Sequence, residues 1–192
     1  MVERYYDRPR GQAAAVPFRC DGFLREGVIA GADGGTVPLA RLPPFLRSLL
    51  VTDGTVTKIL EAYFWEPVLV DTLAQGLVTA ERAIPWVEVA SGDEVLTRQA
   101  QLRGVDSGRR YADAFSVIRI ERIPETFRQR LIDREIGIGV LIRDSGLESY
   151  REVLEVGVAA GTGAEVFRTY RIIIDHAPVI LITETFPVAL YA

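Results

Sequence analysis

The sequence is short of the residues that usually announce chemistry. Cysteine occurs once, at Cys20, so neither an internal disulfide nor a thiolate zinc cluster can form within the chain. Histidine also occurs once, at His176 in "DHAP", where flanking turn formers make a turn its expected role. A Ser-His-Asp set and a metal site both lack their usual members, so neither is expected. No GxGxxG and no Walker sequence occurs, which removes the usual nucleotide-binding signatures. Net charge is only −4 and no block of like charge stands out, so nucleic acid is not an expected partner. The longest apolar runs, such as "GIGVLI" and "PVILIT", are far too short to span a bilayer, so no membrane partner is expected. Lysine is confined to Lys58, and arginine supplies every other basic residue. The opening "MVERYYDRPRGQAAAVPF" carries charge but no apolar h-region, which reads as neither signal nor transit peptide and makes the cytoplasm the default compartment.

What is there suits one globular domain with an added segment: 192 residues, 48% hydrophobic and 25% charged, enough to bury a sizeable core. Residues 1–39 show little periodicity and are expected to form an irregular arm with a short strand at "GFLREGVIA". Residues 40–192 are expected to form the functional domain. Phe45, Leu46, Leu49 and Leu50 fall at helical spacing behind a proline start. Val56, Ile59, Leu60, Tyr63 and Phe64 mark a second amphipathic helix, with Thr55 or Asp53 as its cap. "PVLVDTLAQGLV" reads as a strand, and residues 80–92 fit neither pattern. "VLTRQAQLRG" and "RRYADAFSVIRI" flank the turn "VDSG" as a hairpin. "PETFRQRLI" and "GIGVLIRDSG" read as short helices, the second closed by Gly146. "SYREVLEVG", "EVFRTYRIII" and "PVILITETF" read as strands, the last two joined by "DHA". Hairpin-linked strands with interspersed short helices imply an α+β fold, an antiparallel sheet with helices on one face.

Two charges fall on apolar faces. In "VILITETF" Ile180, Ile182, Glu184 and Phe186 share a side, and in "VLTRQAQL" Arg98 points the way of Leu96, Ala100 and Leu102. A buried charge is costly unless it is paired. Either the two charges belong to an internal ion-pair network, or they line a cavity and meet a ligand. On the neighbouring strand Ala112, Ala114 and Ser116 form a strip of small side chains beside Arg98. Such a strip leaves volume for a small anion held by a bidentate guanidinium, or simply lets a helix approach closely. Gly137 and Gly139 precede a helix whose free amides could receive a second anionic group. Arg168 and Arg171 lie on opposite faces of "VFRTYRII", so one of them is expected to point to solvent.

"LPPFLRSLLVTDGTVTKILE", "LTRQAQLRG", "RRYADAFSVIRIERIP", "IGIGVLIRDSG", "YREVLEVG" and "YRIIIDHAPVILITETFP" occur in the order seen in the chorismate–pyruvate lyase family, which the chain resembles from Leu42 to its end. The resemblance implies a six-stranded antiparallel sheet, helices on one side, and an enclosed site that converts chorismate to 4-hydroxybenzoate and pyruvate without metal or cofactor. It implies Arg98 as the binding arginine and Glu184 as the essential glutamate, with further ligand contacts at Val56, Ala114 and Ile138. Bacterial members often have Gly-Arg where this chain has Ala114-Phe115. The expected partner is a small-molecule substrate, chorismate, in a monomer or homodimer. Two other readings remain: a non-catalytic aromatic-acid sensor with the same pocket, and a lyase-like enzyme acting on a related substrate.

Overall fold

A computed structural model describes residues 2–6, 27–30, 36–133, 137–159 and 165–192. Cys20 and most of the expected N-terminal arm lie outside the described residues. In chain order the elements are β1 (Val28–Ala30), β2 (Thr36–Pro38), α1 (Pro44–Val51), α2 (Val56–Phe64), β3 (Val68–Thr79), β4 (Glu94–Gly104), β5 (Arg110–Ile118), α3 (Glu125–Ile132), α4 (Ile138–Asp144), β6 (Ser149–Val158), β7 (Glu165–Ile174) and β8 (Ala177–Pro187). β3 to β8 form one six-stranded antiparallel sheet in the order β3-β4-β5-β8-β7-β6. It is two three-stranded meanders, each led by a pair of helices, joined where β5 pairs with β8. The fold is therefore α+β, as the alternation implied.

The local chemistry explains the elements. Pro44 opens α1, where its fixed φ suits the first turn, and Leu46, Leu49 and Leu50 are each 0% exposed. Burying each leucine contributes about 1.5–3 kcal/mol. α2 buries Val56 and Leu60 and ends at Trp65, which takes the left-handed conformation with φ 59°. Tyr63, expected in the apolar stripe, is half exposed and stacks on Phe45 with ring centroids 3.7 Å apart. α4 closes at Gly146, whose φ of 64° favours glycine. Asp175 and His176 form a two-residue hairpin turn between β7 and β8, both with positive φ, so the histidine has the turn role its neighbours implied. Residues 80–92, which showed no period, hold a single turn of 3-10 helix at Pro85–Val87.

The two helix pairs cover opposite ends of one sheet face. α1 and α2 pack with Leu102, Ala112, Val156 and Phe186, whereas α3 and α4 pack with Leu96, Ile118, Ile172 and Ile180. Between them the face is left open. On the far face Trp86 and Val87 pack with Val95, Val117 and Leu181. The described parts of residues 1–39 fold onto the domain: Ile29 and Leu39 join the α1/α2 core, and the Tyr5 hydroxyl lies 2.5 Å from Thr183 Oγ1 on the far face.

Candidate active site

The register of the sheet places the site. On the helix-covered face Arg98 of β4 stands opposite Ser116 of β5, and Ala100 opposite Ala114. Ala114 is opposite Glu184 of β8, which is opposite Arg168 of β7. The small side chains of Ala100, Ala114 and Ser116 leave the floor of a cavity that is partly open to solvent. Arg98, Glu184, Val56, Ala114 and Ile138 all line it, so the five residues that the family resemblance named lie around one cavity.

Glu184 is 5% exposed and doubly held. Arg168 Nε donates to its Oε2 at 2.8 Å, and the Tyr170 hydroxyl donates to Oε1 at 3.2 Å. Arg168 is 0% exposed; its Nη1 donates to the Thr52 carbonyl at 2.6 Å, and its guanidinium carbon lies 4.6 Å from the Tyr170 ring centre. Burial, then the negative charge of Glu184, raises the Tyr170 pKa above the ordinary phenol value, against the opposing charges of Arg168 and Arg151. Tyr170 thus stays a protonated donor. The pair is an internal one, yet Glu184 still borders the cavity. Glu184 is therefore at once a member of an internal ion pair and part of the cavity lining.

Arg98 is 2% exposed, donates from Nη2 to Thr72 Oγ1 at 2.6 Å, and lines the cavity. Thr55 is the N-cap of α2, but its hydroxyl makes no capping hydrogen bond. The first amides of α2 therefore lack a side-chain cap, and residues 54–57 line the cavity. Gly137 precedes α4 likewise, and Gly139 allows the two helix starts to approach: a Cβ there would lie 3.3 Å from Thr55 Cγ2. Among the described residues no group of three His, Cys, Asp or Glu side chains is placed to hold a metal, and no helix is long and apolar enough to cross a membrane.

A sequence model of the Rv2949c-like chorismate pyruvate-lyases matches residues 50–192. The chain belongs to this family. A chorismate pyruvate-lyase of Mycobacterium leprae (strain TN) is 31% identical over 160 residues, 77% of this chain and 76% of that protein. A chorismate pyruvate-lyase of Mycobacterium tuberculosis (strain CDC 1551 / Oshkosh) is 27% identical over 157 residues, 73% of this chain and 78% of that protein. Among solved structures, the effector domain of PhnF from Mycobacterium smegmatis matches with a TM-score of 0.53 at 15% identity, over 70% of this chain and 88% of that one, a likeness of fold alone. The region matched to the chorismate pyruvate-lyase family contains every cavity residue named above.

Three site residues escaped the sequence reading: Arg168, Tyr170 and Arg151. Of Arg168 and Arg171 one was expected in solvent, and the structure corrects this. Arg168 is the buried partner of Glu184, and Arg171, on the far face with its side chain 15% exposed, binds Glu152 Oε2 at 2.7 Å and the Trp86 carbonyl at 3.1 Å. The signal for Arg168 was present, because it alternates in step with Val166, Tyr170, Ile172 and Ile174, all buried.

Proposed function

We propose that the protein is a chorismate lyase, releasing pyruvate from chorismate to leave 4-hydroxybenzoate, with residues 40–192 as the catalytic unit and no metal or cofactor required. The observation that carries the reading is the convergence of Arg98 and Glu184 on one cavity from strands two apart in the sheet. Family membership supports it independently.

Chorismate carries one carboxylate on its ring and one on its enolpyruvyl ether. Arg98 binds a carboxylate through its guanidinium fork, the most favourable geometry for that group. Amides at Val56 and Ile138 assist, and Ala114 forms the wall against which the ring lies. Glu184 faces the hydroxyl-bearing ring carbon and its ether-bearing neighbour. In the elimination the C–H bond of the hydroxyl-bearing carbon breaks and its electrons complete the aromatic ring. The ether C–O bond breaks toward the enolpyruvyl oxygen, and the enolate so formed takes a proton on its methylene carbon to become pyruvate. One proton leaves and one is gained. Glu184 serves this transfer as acid/base, oriented by Arg168 and Tyr170. Orientation and exclusion of water contribute alongside, since the reaction is intramolecular in its bond changes.

The test is to incubate the purified protein with chorismate and follow 4-hydroxybenzoate by absorbance and pyruvate by a coupled reduction. Equal appearance of both products is expected. Saturable binding of 4-hydroxybenzoate with no pyruvate released would replace the lyase by a sensor of aromatic acids.

A further inference from the structure

Arg98 accounts for one carboxylate of a dianion, and the cavity holds a second guanidinium within reach of the other. Arg151, on β6, lines the cavity opposite Ile172 of β7. Its Nη1 donates to the Asp53 carbonyl at 3.2 Å, and among the described residues it forms no ion pair. The floor beneath it is apolar, formed by Ile172 and Ile182. A carboxylate arriving there would therefore meet no competing negative group before Glu184. Gly139, at the start of α4, is its neighbour: a Cβ at that position would lie in ordinary contact, 3.7 Å from Arg151 Nη2.

Position in the sheet is the stronger argument. In the order β4-β5-β8-β7-β6, Glu184 occupies the middle strand, with Arg98 two strands to one side and Arg151 two strands to the other. At about 4.8 Å per strand, each arginine Cα is offset by ~10 Å from the glutamate's strand. Both arginines line the same cavity. A small molecule with an anion at each end and its reacting bond in the middle fits that layout.

We propose that Arg151 anchors the enolpyruvyl carboxylate and is the residue that makes the site select a dicarboxylate ether over a monocarboxylic ring acid. The proposal rests on the lyase reading and deepens it. Cleavage then turns one doubly anchored dianion into two singly anchored monoanions, pyruvate on Arg151 and 4-hydroxybenzoate on Arg98, each free to leave alone.

The experiment compares Arg151→Met and Arg151→Lys with the unsubstituted protein, using three probes. These are chorismate, 4-hydroxybenzoate, and the non-cleavable diacid 3-(carboxymethoxy)-4-hydroxybenzoate. Loss of a charge-assisted hydrogen bond predicts a ~10–100-fold rise in KM for chorismate and in Kd for the diacid in Arg151→Met. The Kd for 4-hydroxybenzoate should change by less than about twofold, because that ligand lacks the second anion. Arg151→Lys, which keeps the charge, should recover part of the diacid preference. Equal weakening of all three ligands would make Arg151 a structural support of the Asp53 loop and overturn the proposal, as would an unchanged diacid Kd. Absence of chorismate turnover with an Arg151-dependent diacid preference would overturn the lyase reading and leave the anchor standing.

Discussion

The two meanders each place an arginine of their central strand on the same face, and they use it differently. Arg98 of β4 has Gln75 and Ser116 as its neighbours across the ladders, reaches the Thr72 hydroxyl, and borders the cavity. Arg168 of β7 has Glu184 across its ladder and is closed off behind it. One neighbouring residue decides the difference. A carboxylate across the ladder makes Arg168 a support for that carboxylate, whereas Arg98, beside Gln75 and Ser116, lines the cavity. Each meander also has a carboxylate that braces its structure. In the second it is Glu184, inside. In the first it is Glu66, in the link between α2 and β3, which accepts the Asp106 and Ser107 amides of the β4–β5 turn at 2.9 Å each and the Tyr111 hydroxyl.

The largest effect should come from breaking the closed pair. Arg168→Leu leaves the Glu184 carboxylate buried without its cation and should cost about 3–5 kcal/mol in urea unfolding. Adding Glu184→Leu should recover most of that stability, because removing both charges of a buried pair is often neutral, while pyruvate release stays abolished. If the single variant were as stable as the parent, the contrast between the two arginines would collapse. Next comes Arg98→Met, which removes a cavity-lining guanidinium rather than the counterion of Glu184. Its loss should fall on ligand affinity, about 2–5 kcal/mol in the Kd for 4-hydroxybenzoate, with a smaller change in the unfolding midpoint than Arg168→Leu gives. Tyr170→Phe keeps the ring over Arg168 and removes one hydrogen bond to Glu184, costing about 1.5–3 kcal/mol divided between stability and turnover.

The smallest effect concerns Glu66 and depends on pH. The Tyr111 hydroxyl, followed by the Ser107 and Asp106 donors, holds the Glu66 pKa down from 4.5 to about 2. A depressed carboxylate contributes stability in full above its unfolded pKa and loses it as pH falls through the folded one. Melting temperatures of the parent and Glu66→Gln should therefore differ most near neutrality and converge between about pH 4.5 and 2. A gap that widened on acidification would contradict the assignment.

Alternation with a period of two was enough to find Arg98, Glu184 and the strip Ala112-Ala114-Ser116, because β4, β5 and β8 run without a register shift through those positions. The same rule would have found Arg168, had the buried face of β7 been assigned. Arg151 was not legible in this way. β6 carries a bulge between Val153 and Glu155, which moves Val156 and Val158 onto the face of Arg151 although their parity in the sequence is opposite. β3 has a similar shift between Thr72 and Ala74, and it is this shift that leaves Thr72 on the Arg98 side. The convergence of helix starts on the cavity was equally hidden, since no local pattern states where two distant helices will meet. Glycines 137 and 139 hinted at close approach without naming the neighbour.

The turn at Asp175-His176 has a bearing on how the molecule is assembled. A two-residue turn closes one of the cheapest loops a chain can make, and isolated hairpins zip in about 1–10 μs. Arg168 and Glu184, 16 positions apart across that turn, are brought together by the zipping itself. The acid therefore finds its counterion within its own hairpin, and its neutralisation calls for no long loop to be closed.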